Sequence, residues 1–282
     1  MTKNYSDKLE KKTMTIGIIG AMREEVDSIR SDLMQNVRET VIGGRTYYEG
    51  SIHDTPVVLV FSHWGKVASA TSTTTLINSF DAKEVIFTGV AGATSSELNI
   101  GDIVISSKCY QHDMDASPLF NKHEIPLIGE TFFSAHEELI LESKQSCSAM
   151  VLNFSNFFDN DQLMNDFAIS SPKVYLGVIA SGDQFINSDE KVSALLQDVP
   201  ETLAVEMEGA SVAHVCHEHN IPFVIIRTIS DKADGKAAID FPRFISTVAN
   251  VYSKNIIDGI FTQRKSIPRK DKSTCESFYS VK

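Results

Sequence analysis

Apolar residues fall along this chain in two alternating rhythms. Short runs at 15–20, 57–62, 84–88, 102–106, 175–180, 203–205 and 223–228 read as strands. Several are apolar without a break, as expected of strands covered on both faces. Between them, apolar residues recur at helical spacing over 22–33, 66–80, 188–197, 209–217 and 241–260. This alternation predicts an α/β layered fold with a mostly parallel sheet. The stretch 147–172 is aromatic and acidic without clean periodicity, and no element is assigned to it. The first thirteen residues are polar and charged and read as a disordered lead; Met14, just before the first strand, is an alternative start. Beyond about Thr262 the chain is basic and aperiodic, which reads as a solvated tail. The expected organisation is one domain over 14–262 between a lead (1–13) and a tail (263–282).

Chemically capable residues gather where the apolar runs end. Met22-Arg23-Glu24-Glu25 follows the first run, and Ser62-His63-Trp64-Gly65 the second. Later ends carry Gly89-Val90-Ala91-Gly92, His112-Asp113, Ser181-Gly182-Asp183-Gln184-Phe185, Glu206-Met207-Glu208, and finally Arg227 with Ser230-Asp231. Ligands of open α/β sheets bind outside the carboxyl ends of strands, so these ends can converge on one site. Helix capping and loop solvation are the competing reading for about half of them. On the convergent reading Met22, Val90, Ala91, Gly92, Glu206 and Ser230 are candidate substrate contacts.

The densest of these ends is LAVEMEGASVA (203–213), where two carboxyls sit two residues apart in an apolar run. If the chain stays extended, Glu206 and Glu208 share one side and Met207 takes the other. Carboxylates beside an apolar wall suit a polyol such as a ribose. A helix-start pair favoured by the helix dipole is the alternative. Glu25 lies beside the apolar stripe Met22, Val26, Ile29, Leu33, whereas Glu24 faces away, so Glu25 points inward as a candidate general base. Asp231 follows the last strand; burial would raise its pKa and suit it to give a proton to a heterocyclic nitrogen, with capping as the alternative. Arg227 on a buried strand needs a charged partner, which Glu208, Glu25 and Asp231 could supply.

Composition narrows the class. The 282 residues are 42% hydrophobic and 22% charged, ordinary for a soluble globular protein. A net charge of −11 gives no electrostatic footprint for nucleic acid. The N-terminus lacks the apolar core of a secretory signal, and no run approaches a membrane span. Four cysteines without a CxxC pair read as free thiols in a reducing compartment, so a cytoplasmic location is expected. Gly89-x-x-Gly92 lacks the third glycine of a dinucleotide fingerprint, and there is no P-loop. His214, Cys216, His217 and His219 do not reach metal-ligand spacing, so no metal is expected.

Seven ordered stretches carry a resemblance: IGIIGAMREEV (16–26), TGVAGA (88–93), GDIVIS (101–106), QHDMD (111–115), ASGDQFI (180–186), AVEMEGASVAHVC (204–216) and RTISDKAD (227–234). Together they resemble the bacterial 5′-methylthioadenosine/S-adenosylhomocysteine nucleosidases from about Thr15 to Phe261. The resemblance implies a nucleoside phosphorylase-like three-layer α/β/α sandwich, a homodimer, and hydrolysis of the N-glycosidic bond of a 5′-thio-substituted adenosine without cofactor or metal. By motif, Glu25 would deprotonate the attacking water and Asp231 would protonate N7 of the leaving adenine. Glu208 would hold the ribose hydroxyls and stabilise the oxocarbenium-like transition state. Met207 would pack on the ribose, Phe185 would stack on adenine, and the main chain of Ile186 would read the base edge. Arg227 would belong to the water and carboxylate network, and Phe241 and Trp64 would line the 5′-substituent pocket. Some members have serine where Val90 stands, Trp64 replaces an aliphatic residue, and Asn121-Lys122-His123-Glu124 departs from the pattern in a loop that helps close the neighbouring subunit's site. Three rival readings remain: an aminodeoxyfutalosine nucleosidase, a phosphorylase using Arg23, Arg45 or Lys66 for phosphate, and a non-catalytic nucleoside-binding protein. A carboxylate on the water side would repel phosphate, which disfavours the phosphorylase.

Overall fold

In a computed structural model of the chain, residues 14–158, 163, 166–233 and 242–266 are described. The lead 1–13, the tail from 267 onward and Phe241 lie outside the described residues.

The centre of the molecule is a ten-stranded mixed sheet. Its strands are β1 (Thr15–Gly20), β2 (Gln35–Ile42), β3 (Arg45–Ile52), β4 (Thr55–Phe61), β5 (Ala82–Ala93), β6 (Ile103–Gln111), β7 (Phe133–Ser134), β8 (Val174–Ser181), β9 (Thr202–Glu206) and β10 (Phe223–Asp231). Each of the expected runs overlaps one of these strands, with Ser62 and Asp102 just outside β4 and β6. β1 lies between β4 and β5, parallel to both. β5 is long enough to change partners along its other edge. Its residues from Val85 to Gly92 pair with β10 in parallel, and Gly92 and Ala93 then pair with β9 antiparallel. Because β10, β6, β8 and β9 pair in turn, this part of the sheet closes on itself. The carboxyl ends of β5, β8, β9 and β10 are thereby drawn together.

Helices cover both faces. α2 (Lys66–Phe80) and α5 (Gly209–Glu218) pack together on one face, where Leu76, Ala210, Val212, Ala213 and Cys216 join the core. On the other face α6 (Asn250–Ser266) packs against α1 (Arg23–Leu33) and α3 (Glu137–Leu152), burying Val26, Ile29, Leu139, Met150, Ile256 and Ile260. α4 (Asp189–Asp198) packs its Leu195 with Tyr110 and Ile186 in a smaller third cluster. Among the described residues, no helix is long and apolar enough to cross a membrane.

The structure adds elements that the apolar rhythm did not announce. β2 is solvent-exposed along nearly its whole length, so it carries no buried stripe. It pairs with β3 through Gly43 and Gly44, both at positive φ, the geometry that a tight hairpin turn demands. α3 covers the start of the unassigned stretch 147–172; its buried stripe includes Ser143 and Ser146, which dilute the helical signal. The expected tail boundary at Thr262 is corrected: α6 runs on to Ser266. Arg264 in its last turn pairs with Glu84 at 3.0 Å and Glu142 at 2.6 Å, which ties that turn to the domain.

Candidate active site

A cavity of about 290 Å³ opens where these strand ends meet. Of the described residues given a catalytic or substrate-binding role, all line it except Glu25 and Arg227. The lining runs through Met22, Trp64, Val90, Ala91, Gly92, Phe185, Ile186, Glu206, Met207, Glu208, Ser230 and Asp231. Ala21, Gln184 and Val205 complete it.

Glu208 stands at the start of α5, where the strand has already ended. The strand, expected over 203–205, runs from Thr202 to Glu206, so the chain does not stay extended through Glu208. Glu206 turns back and accepts hydrogen bonds from the backbone N–H of Glu208 (3.1 Å) and of Gly209 (2.8 Å), and from Ser181 Oγ. It is thus the helix-start carboxylate of the alternative reading. Glu208 instead accepts from the backbone N–H of Gly65 at 2.8 Å, just before α2. Burial, and next the charge of Glu206, push the Glu208 carboxyl well above the usual range.

Arg227 does not line the cavity. It is fully buried on β10, with Nη2 at 2.6 Å and Nε at 3.2 Å from Glu206 Oε2 and its guanidinium 4.0 Å over the Phe87 ring. The sequence assigned Glu208, Glu25 and Asp231 as its partners; its ion-pair partner is Glu206. The reason is local: the β9–α5 turn folds the first carboxyl under the helix, toward β10.

Glu25 lies one layer below Met22. It is fully buried in the first turn of α1, and its Oε2 accepts from the Met22 N–H at 3.1 Å. Oε1 accepts from Ser253 Oγ at 3.1 Å, and Ser253 pairs in turn with Thr88 at 2.9 Å. Burial raises the Glu25 carboxyl to a pKa of about 7, with the Arg227 charge pulling against the rise. Asp231 ends β10: its Oδ2 accepts from Ser230 Oγ at 2.7 Å and its Oδ1 from the Ala233 N–H at 2.8 Å. Gly92 lies so near that an added Cβ would stand 2.9 Å from Asp231 Oδ1.

Phe185 is 43% exposed on the loop after β8, and Ile186 behind it is buried. Trp64 is anchored by its Nε1–H to the Ala21 carbonyl at 3.2 Å. Phe241 lies outside the described residues. Sequence reasoning missed Ser253; its signal was a polar position inside the otherwise apolar stripe of the last predicted helix. Of the cations named for a phosphate, Lys66 pairs with Asp113 at 2.6 Å, Arg45 donates to the carbonyls of Gly43, Ser62 and Ala68, and Arg23 lies over the Phe61 ring.

Known proteins share this fold. Residues 15–261 match the phosphorylase superfamily. A 5′-methylthioadenosine/S-adenosylhomocysteine nucleosidase of Actinobacillus succinogenes is 37% identical over 237 residues, covering 84% of this chain and 94% of that protein. An aminodeoxyfutalosine nucleosidase of Helicobacter pylori is 35% identical over 239 residues, covering 85% and 95%. A solved 5′-methylthioadenosine/S-adenosylhomocysteine nucleosidase from Colwellia psychrerythraea, in complex with adenine, superposes with a TM-score of 0.78 at 31% identity, covering 89% of this chain and 96% of that one. With relatives of this identity matched almost end to end, the chain belongs to the phosphorylase superfamily and, within it, to the nucleosidases, as an N-glycosyl hydrolase.

Proposed function

We propose that the enzyme hydrolyses the N-glycosidic bond of 5′-methylthioadenosine and S-adenosylhomocysteine, releasing adenine and the 5′-thio-substituted ribose. The observation that carries this reading is one cavity edged by Glu208, Asp231 and Phe185, with Glu25 hydrogen-bonded to the backbone of Met22 in its wall. Cleavage needs an activated leaving group, a stabilised sugar cation and a positioned water. In this reading Asp231 gives its proton to N7 of adenine, while Phe185 stacks on the base and the main chain of Ile186 reads its edge. Glu208 accepts the ribose hydroxyls, and Met207 packs on the ring. Glu25, with a pKa near neutrality, takes a proton from the water. Trp64 and Met22 wall the end that receives the 5′ substituent. Arg227 acts through Glu206 and through its charge on Glu25.

Water rather than phosphate is the acceptor in this reading. Among the described residues, no cation lines the cavity, and Arg227 is already matched to Glu206. The second reading is aminodeoxyfutalosine as substrate, favoured by the identity to the Helicobacter pylori enzyme. A homodimer is part of the proposal, and Val67, Leu119 and Leu127 are exposed apolar side chains that such a contact could cover. Light scattering behind a sizing column tests it, and a monomer at all concentrations removes it.

Adenine release is measured from each of the three nucleosides, with and without phosphate, and the sugar is weighed by mass spectrometry. Free thioribose formed without phosphate is expected. A sugar 1-phosphate would move the enzyme to phosphorolysis, and turnover confined to aminodeoxyfutalosine would replace the substrate. Adenine binding without release from any of the three would leave a nucleoside-binding protein.

A further inference from the structure

Two adjacent backbone N–H groups at the start of α2 hold carboxylates from opposite sides. Gly65 N–H donates to Glu208 at 2.8 Å, and Lys66 N–H donates to Asp183 Oδ1 at 2.8 Å. Asp183 stands just before Gln184, Phe185 and Ile186, which line the cavity. Its own N–H donates to Asp113 Oδ2 at 2.8 Å, and Asp113 Oδ1 accepts from Lys66 Nζ at 2.6 Å. The three residues therefore form a closed ring of hydrogen bonds, from Lys66 to Asp183 to Asp113 and back. Lys66 Nζ also donates to Gln111 at 3.2 Å, so the ring is anchored to the end of β6. The side chains of Lys66 and Asp113 are only 17% and 16% exposed, which shields the pair from solvent screening.

The backbone leaves no slack around this ring. Gly65 sits at φ +89, and a Cβ there would stand 2.9 Å from Asp183 Oδ1. A Cβ on Gly182 would run into the His112 ring and come within 2.9 Å of the Asp113 carboxyl carbon. Both glycines are thus required by close approach of the ring, one on each of its sides. Lys66 is the only cation in it, and Asp113 lies on neither catalytic strand end.

We propose that Asp113 is a positioning residue that holds the base-side loop 182–186 in register with the Gly65 N–H on Glu208. Through Lys66 and Asp183 it makes the base site and the ribose carboxylate one rigid unit. This rests on the reading in which Phe185 and Ile186 hold adenine. Removing Asp113 frees the loop without touching a reacting atom, so ground-state binding of the base weakens more than the chemical step does.

The test compares wild type with Asp113→Asn, Lys66→Met and the double variant, each checked for a native circular dichroism spectrum. Adenine affinity is read by calorimetry, and kcat and KM with methylthioadenosine or whichever nucleoside the wild type cleaves. Each single variant is expected to weaken adenine binding and raise KM about tenfold, the loss of one charge-assisted hydrogen bond, with kcat within about twofold. The double variant should lose no more than the worse single one, because one ring is broken once. Adenine affinity equal to wild type in folded Asp113→Asn overturns the proposal, as does a fall in kcat alone. If Asp113→Asn does not fold, Asp183→Ala, which removes the acceptor of the Lys66 N–H, breaks the same ring and is read in the same way. A wild type that neither binds adenine nor releases it would sink the underlying base-site reading instead, and that result is visible before any variant is made.

Discussion

Replacing Glu25 with Gln should make the enzyme inactive and, at alkaline pH, more stable. The Glu25 carboxyl is fully buried and its pKa rises from 4.5 to about 7. Between those values the native state keeps a proton that the unfolded chain has released. The stability linked to that proton is fully present below pH 4.5 and is lost as pH rises through 7. At about 1.4 kcal/mol per pH unit, the loss relative to acid reaches about 3.3 kcal/mol by pH 8, of which about 2.5 kcal/mol falls between pH 5 and pH 8. Gln has no charge to bury, and it fits the existing partners. Its Oε1 can accept from the Met22 N–H, and its Nε2 can donate to Ser253 Oγ, which then donates to Thr88. The assay is urea unfolding of both proteins at pH 5 and pH 8, at one protein concentration, followed by circular dichroism. Near pH 5 the two should differ by less than about 1 kcal/mol, and at pH 8 Glu25→Gln should be ahead by about 2–3 kcal/mol. A difference that does not change with pH would mean that Glu25 is ionised in the native state throughout, and the burial argument would fall. Loss of turnover with this gain is the trade expected where a catalytic group is held against its own stability.

Asp231→Asn and Glu208→Gln should each lower kcat/KM by at least about a hundredfold with the fold intact; a rate near wild type for Asp231→Asn would remove its part in leaving-group protonation. Gly65→Ala, at φ +89 and pressed against Asp183, should destabilise the protein by about 1–3 kcal/mol and weaken substrate binding, read by thermal melting and KM. Arg264→Ala should cost about 3 kcal/mol in urea unfolding, because it removes the little-exposed ion pairs to Glu84 and Glu142, and unfolding at the wild-type urea concentration would mean that these pairs are idle; truncation after Ser266 should leave activity unchanged.

The strands that build the cavity could be read because they are buried on both faces, and an unbroken apolar run ending in polar residues marks such a strand. β10 shows this: all nine of its residues are buried, and the run ends at Asp231. β2 shows the reverse, since an exposed edge strand has no face to record in its sequence. In the cavity, the carboxyls stood out because each interrupts an apolar setting. Their partners did not. The direction of a carboxyl is set by a turn of one or two residues, and the β9–α5 turn decides that Glu206 rather than Glu208 meets Arg227. Ser253 reaches Glu25 across 228 residues of chain, and no local pattern carries that information.

The two carboxyls of Glu206-Met207-Glu208 differ in what matches them. Glu206 is matched to Arg227 and to the first amides of α5, so it belongs to the frame. Glu208 accepts from Gly65, faces the charge of Glu206, and is raised by burial. Glu25 is raised by the same cause, against the pull of the Arg227 charge. Among the described residues, no cation lines the cavity beside Glu208. A neutral ribose does not supply one, but a sugar losing its base does, because positive charge grows on the ring as the N-glycosidic bond breaks. Interactions that strengthen only then accelerate the reaction, whereas those present equally with bound substrate do not. On the proposed reading, the burial that lifts Glu25 and Glu208 is therefore relieved in the transition state. The charge of Glu206 takes part from the frame, by keeping Glu208 unmatched until the sugar becomes cationic.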